Sequence, residues 1–250
     1  MIQRNTVQWR KRVQISVATE GWIRYEWAHA RFGQIIPVNW AATGFDLGYT
    51  AMGYSIDDAY NMIARQALIE GVDWVLIIED DVLLPMDCFV RMAQYMDAAD
   101  TPVVSGLYYT KATPAEPLIF RGRGNGVFRD WEQGERVWCD GLPMGCLLVH
   151  TSILAHMADT SEEYRVPTGE KVKRIFHTPR SIEVDPVTGV YQRQEGTQDL
   201  WWCDRLINEG VFAETGWDEI AEREYPLLVD TQIFCRHIDR GTGRQYPIGV

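Results

Sequence analysis

DWVLIIEDDVLLP, residues 73–85, sets five apolar side chains, Trp74 to Ile78, directly against three carboxylates, Glu79, Asp80 and Asp81. A short apolar run bounded by polar residues reads as a strand covered on both faces. Three adjacent carboxylates repel one another and are costly to desolvate. One reading is a solvated strand end. The other is a site where a divalent cation removes both penalties, since carboxylate oxygens suit Mg²⁺ or Mn²⁺.

The flanking segments supply the fold class. Upstream, Ser55 is positioned as an N-cap, with Asp58 three residues on, and IDDAYNMIARQALIEG carries apolar residues at helical spacing up to Gly71. Further upstream, RVQISVATEG (12–21) reads as a strand and WIRYEWAHARFG (22–33) as a helix. QIIPVNW (34–40) reads as a second short strand, and AATGFDLGYTAMGYS (41–55) as a loop. Downstream, DCFVRMAQYMDAAD (87–100) reads as a helix and PVVSGLYYT (102–110) as a strand. Strands and helices therefore alternate over the first 110 residues, which predicts an α/β fold with a parallel-type sheet and helices on both faces. Ligands of such sheets bind beyond the carboxyl ends of the strands, where the acid triplet falls.

The second half is less regular. MGCLLVHTSILAHM (144–157) begins as a buried strand and turns helical, residues 159–197 show little periodicity, and DLWWCDRLINEG (199–210) is a compact helix. PLLVDTQIFCRHIDRGTGRQYP (226–247) gives a last strand and a basic tail. With no internal repeat and no low-complexity linker, one domain is expected over 1–250.

Composition narrows the function. A 250-residue chain that is 46% hydrophobic can bury a sizeable core. The net charge of −11 repels nucleic acid and anionic membranes unless a local patch, such as Arg4, Arg10, Lys11 and Arg12, overrides it. No run of about 18 apolar residues suggests a membrane span, and MIQRNTVQWRKRVQ has no apolar signal core. The five cysteines are odd in number and form no CxxC pair, which fits reduced thiols in a cytoplasmic protein better than zinc or disulfides.

Taken together, these segments resemble nucleotide-sugar-dependent glycosyltransferases with the GT-A fold, especially the family-2-like enzymes. WVLIIEDDVLLP is similar to their metal-binding DxD-type motif, in an EDD form. VQISVATEG resembles the first nucleotide-binding strand, and AYNMIARQALIEG the helix before the motif. GTQDLWWCDRLINEG resembles the segment carrying the catalytic base, and VDTQIFCRHID the late strand whose His completes the metal site. The pieces occur in family order across residues 12 to 247.

The resemblance implies a Rossmann-like mixed sheet flanked by helices, with a nucleotide-binding half (12–110) and an acceptor half (111–250). It implies Asp81 and His237 as ligands of Mn²⁺ or Mg²⁺, the imidazole favouring Mn²⁺. Glu79 and Asp80 would contact ribose or help hold the metal. Thr19 and Glu20 would lie under the nucleoside, joined by Asn39 and Arg65. Asp199 would be the general base, with Gln198 standing where the family commonly has an acid and Glu195 as the alternative; Asp199 also reads as a simple N-cap. Arg236, Arg240 and Arg244 either clamp the phosphates or are surface charges on a flexible tail. Tyr108, Tyr109, Trp131, Trp138, Trp201 and Trp202 are candidate sugar-stacking rings or core residues.

The donor implied is a nucleoside-diphosphate sugar, with UDP favoured and GDP an alternative, and the acceptor is a hydroxyl on a carbohydrate or another molecule. A nucleic-acid acceptor is disfavoured by the net charge but left open. Asp199 as base implies inversion, although a metal-site His also occurs in retaining relatives. A metal-dependent nucleotidyl- or phosphotransferase is the competing enzyme class. No GxxxxGK[ST] is present, and GRGNG (122–126) lacks a flanking strand and helix. A non-catalytic carbohydrate-binding module is the remaining alternative.

Overall fold

The structure, a computed structural model, describes residues 10–42, 48–122, 126–184 and 191–248. In chain order the first half runs β1 (Lys11–Thr19), α1 (Tyr25–Phe32), β2 (Trp40–Ala42), β3 (Gly48–Met52), α2 (Ile56–Glu70), β4 (Trp74–Glu79), β5 (Val82–Leu83), α3 (Cys88–Ala98) and β6 (Val103–Leu107). The second half adds β7 (Arg136–Cys139), β8 (Cys146–His150), α4 (Thr151–Thr160), β9 (Glu163–Arg165), β10 (Lys171–Lys173), β11 (Arg180–Val184), β12 (Tyr191–Glu195) and α5 (Gln198–Asn208). It closes with α6 (Val211–Glu214), α7 (Asp218–Ala221), β13 (Leu227–Phe234), β14 (Arg236–Ile238) and β15 (Gln245–Tyr246).

The main sheet has the order β2-β1-β4-β8-β6-β13-β7, with β3 also pairing with β1. It is mixed: β2, β3 and β4 run parallel to β1, while β8 is antiparallel to both its neighbours, β4 and β6. The parallel-type sheet expected from the first half is thus interrupted by a strand from the second. Helices cover both faces, so the fold is α/β with a mixed sheet flanked by helices.

The apolar run of β4 follows from this placement. Val75 and Ile77 point into the core shared with α2, α4 and α5, and Trp74, Leu76 and Ile78 into the core shared with α1 and α3. All five are buried, and each such side chain stabilises the fold by roughly 1.5–3 kcal/mol. The run ends where the sheet ends. In the parallel register Ala18 of β1 lies opposite Glu79, so Thr19, Glu20 and the acid triplet emerge at one edge.

Four local expectations are corrected. Of residues 34–40 only Trp40 enters a strand. The glycine-rich segment read as a loop contains β3, which pairs with β1 from Ile15 to Thr19. Its backbone approaches so closely that a Cβ on Gly48 would fall 1.4 Å from the Ile15 carbonyl oxygen, so the glycine that suggests a loop is what admits the strand. Residues 159–197, read as aperiodic, hold two hairpins, β9–β10 and β11–β12. The Ser55 hydroxyl does not cap α2; it donates to Asp57 Oδ1 at 2.7 Å.

The basic tail is also not free. β14 pairs with β5, immediately after the acid triplet, and β15 pairs with β14. Among the described residues no helix is long and apolar enough to cross a membrane.

Candidate functional site

Four separate segments meet at the carboxyl end of β4. The first is the acid triplet. The second is the turn before β8, where Ile78 opposite Cys146 brings Met144 and Gly145 beside Glu79. Here the Glu79 N–H donates to the Gly145 carbonyl at 2.9 Å. A Cβ on Gly145 would lie 2.7 Å from Tyr108 Oη, 2.7 Å from Val82 Cγ2 and 2.8 Å from Glu79 Oε2, so a larger residue would displace the site. The third segment is the first turn of α5, with Asp199. The fourth is β14 and the turn after it, with His237 and Arg240.

Asp81 is the most heavily contacted acid. The Lys111 ammonium stands 2.5 Å from its Oδ2, His237 Nε2 3.6 Å and an Arg240 nitrogen 3.9 Å. Burial pushes the Asp81 carboxyl up, but His237 and Lys111 outweigh it and hold it well below the usual carboxylate range. His237 Nδ1 lies 2.9 Å from the Tyr109 carbonyl oxygen, and the ring packs edge-on against Tyr108. A carbonyl only accepts, so Nδ1 carries a proton, and Nε2 is the ring nitrogen turned toward Asp81.

Asp80 is buried and paired with the Arg240 guanidinium, which also reaches Glu20 at 3.0 Å. Burial raises the Asp80 carboxyl, opposed by the Thr19 hydroxyl and by Arg240. Thr19, Glu20 and Arg240 line one small depression with Ala18 and Tyr54. Arg240 is therefore the arginine that joins the site. Arg236 and Arg244 lie over Phe234 and Tyr246 instead.

Glu79 and Asp199 differ from Asp81. Burial, then the charges of Asp81 and Asp199, push Glu79 up to about 8. Burial raises Asp199 to about 6, opposed by its own N–H, by the Met144 backbone and by His237. The Tyr60 hydroxyl lies 3.1 Å from Glu79 Oε1 and 2.8 Å from the Met144 carbonyl oxygen. One phenolic proton cannot serve both acceptors. A protonated Glu79 donating to Tyr60, while Tyr60 donates to Met144, satisfies every partner. Glu79 and Asp199 are thus both raised, while Asp81 beside them is held ionised.

Asp199 is not an N-cap. That role belongs to Thr197, whose side chain accepts the Leu200 N–H. Asp199 is left free to face the Glu79 cluster. The alternative base, Glu195, ends β12, and its side chain lies outside the described residues, as does Arg4 of the basic N-terminal patch.

Two expected nucleotide contacts are elsewhere. Asn39 binds Asp97 at 3.1 Å, and its carbonyl accepts the N–H of Lys11, the first residue of β1, so it sits at the opposite end of the strand from Thr19. Arg65 borders a separate cavity of about 310 Å³ with Lys171 and Lys173 on the outer side of α2. Of the candidate stacking rings, Tyr108 and Trp202 are buried: the Tyr108 hydroxyl accepts the Gly145 N–H and Trp202 stacks on Phe176. Tyr109, Trp131, Trp138 and Trp201 keep partly exposed faces.

Sequence reading missed Lys111 and Tyr60. Lys111 sits in an irregular loop with no motif around it, and Tyr60 reads as an ordinary apolar position of α2. Only the meeting of distant segments distinguishes them.

Asp81 and His237 are the two side chains here that could serve a divalent cation of modest protein coordination. Asp81 Oδ2 and His237 Nε2 converge, and such ions commonly take their remaining ligands from phosphate and water. Among the described residues no group of three or more His, Cys, Asp or Glu side chains is arranged to hold a metal, and the Lys111 ammonium competes for the same Asp81 oxygen.

No family model matches the chain, and no curated protein matches it. Among solved structures it is similar to the crystal structure of A197 from STIV, with a TM-score of 0.51 and 12% identity over 92% of this chain and 87% of that one. At that identity the likeness speaks for the fold alone.

Proposed function

We propose that the protein is a glycosyltransferase of the GT-A type, moving a sugar from a nucleoside-diphosphate sugar to an acceptor hydroxyl. The observation that carries this reading is the convergence of Asp81, His237, Glu79 and Asp199, from segments far apart in sequence, on the edge where Thr19 and Glu20 emerge. Thr19 and Glu20 bind the nucleoside. Asp81 and His237 would hold Mn²⁺ or Mg²⁺, which supplies positive charge to the leaving diphosphate. Lys111 and Arg240 add fixed positive charge beside the same position.

Asp199 takes the proton from the acceptor hydroxyl. Its carboxyl titrates near 6, so at neutral pH it is mostly ionised and still basic enough to act. Glu79, protonated at the same pH, orders the floor of the site through Tyr60 and keeps a second negative charge away from the departing phosphates. Base-assisted attack in a single displacement inverts the anomeric carbon.

Thermal unfolding with UDP, GDP, dTDP and CDP, each with Mn²⁺ or with EDTA, tests the donor assignment. One nucleotide should raise the midpoint only with metal, and Asp81→Ala should abolish the rise. Equal effects of metal and EDTA, or an unaltered Asp81→Ala response, would refute it.

A further inference from the structure

A second concave site lies on the other face of β1. Side chains alternate along the strand, so Ala18 and Glu20 border the depression described above while Ile15 and Val17 face α1, and Thr19, at the strand end, borders both. Between β1, β3 and α1 is a cavity of about 370 Å³. Its walls are mainly apolar, including Ile15, Val17, Ile23, Trp27 and Met52, and Arg31 from α1 also lines it.

Arg31 has no counterpart. It is 4% exposed, and among the described residues it makes no hydrogen bond or ion pair, its Nε being buried without a partner. The guanidinium lies 5.5 Å from the Phe32 ring centroid and 5.1 Å from that of Phe89. Such cation–π contacts are weak at this range. Burying an unpaired charge costs more than they return, so the rings do not offset it. An anion entering the cavity would. The mouth extends the apolar surface outward, since Ile23, Phe32 and Met52 are all exposed.

We propose that this cavity binds a small amphipathic anion, an alkyl carboxylate or phosphate, whose head pairs with Arg31 and whose apolar body lies along Ile15, Val17 and Trp27. The site is independent of the sugar-transfer reading. It occupies the opposite face of the strand and shares only Thr19 with the donor depression.

Methyl-resolved NMR of the whole protein tests it, with octanoate, octyl phosphate, octanol and UDP–Mg²⁺ as probes. One or both anions should shift the Ile15, Val17 and Ile23 methyls with a Kd below about 1 mM. The tighter anion identifies the head group. Octanol should bind at least about tenfold more weakly, the loss of a charge-assisted contact. Arg31→Met should abolish that preference while Arg31→Lys keeps part of it. Val17→Phe, which fills the cavity and leaves Arg31 intact, should lose the anion as well and covers the case in which Arg31→Met fails to fold. Equal binding of octanoate and octanol, an unaltered Kd in a folded Arg31→Met or Val17→Phe variant, or the same methyl shifts from UDP–Mg²⁺ would overturn the proposal.

Discussion

Replacing Glu79 by Gln should change how stability depends on pH. The Glu79 carboxyl rises from an ordinary 4.5 to about 8 on folding, chiefly through burial. A group that binds its proton more tightly when folded stabilises the fold fully below its unfolded value. That contribution is lost as pH rises, because between 4.5 and 8 the unfolded chain gives up the proton and the folded one keeps it. At ~1.4 kcal/mol per pH unit, the full span corresponds to ~5 kcal/mol. Glu79 keeps a partly open face, and solvent there screens part of the effect, so a loss of about 2–3 kcal/mol between pH 5 and pH 8.5 is expected. Glutamine retains the shape and the contact with Tyr60 but cannot ionise. Urea unfolding in EDTA, at pH 5, 6.5 and 8.5, should therefore show wild type losing stability toward alkaline pH relative to Glu79→Gln. Asp199, raised in the same direction to about 6, and Asp80, also raised, contribute a residual slope in the variant, and that of Asp199 flattens above about 6. Parallel curves for the two proteins would mean that Glu79 is not held protonated, and the reasoning from Tyr60 and Met144 would fail with it.

Three further outcomes follow from the site. Asp199→Asn should lower sugar transfer by about 10²–10⁴-fold and leave nucleotide-dependent thermal stabilisation intact. In wild type the same activity should rise with pH through about 6 as Asp199 ionises, and a profile flat from pH 5 to 7.5 would remove its role as base. Lys111→Met frees the Asp81 oxygen, so Mn²⁺ affinity measured by electron paramagnetic resonance should increase by roughly 5-fold or more, about the effect of one partly exposed ion pair. A fall in affinity would show that the lysine assists the ion rather than competing with it.

The α/β class and the β4 terminus were legible because both depend on local pattern. Five consecutive apolar residues require two covered faces, and the carboxylates mark where cover ends. Asp81, Asp199 and His237 were singled out by the family resemblance rather than by local pattern, and the structure brings them to one edge of the sheet. β3 was not legible, because its glycine contributes through the close approach of Ile15, a contact between separate segments. Asn39 was misplaced because short β2 pairs with the beginning of β1, a register that residues 34–40 alone do not specify. The antiparallel β8, inserted between strands of the first half, was hidden for the same reason. So was the basic tail, whose pairing with β5 depends on a partner far away in the chain.

That last pairing has a consequence for biosynthesis. Val82, next to the acid triplet, is bonded in register to His237, and Arg240 neutralises Asp80 only after β14 has docked. A nascent chain can form the β1–β4 edge long before these groups exist, but it then presents Asp80 and Asp81 without their C-terminal cations. The candidate site is completed last. A polypeptide stopped short of residue 236 would lack His237 and Arg240, and with them the pairing that covers β5 and the guanidinium that neutralises Asp80.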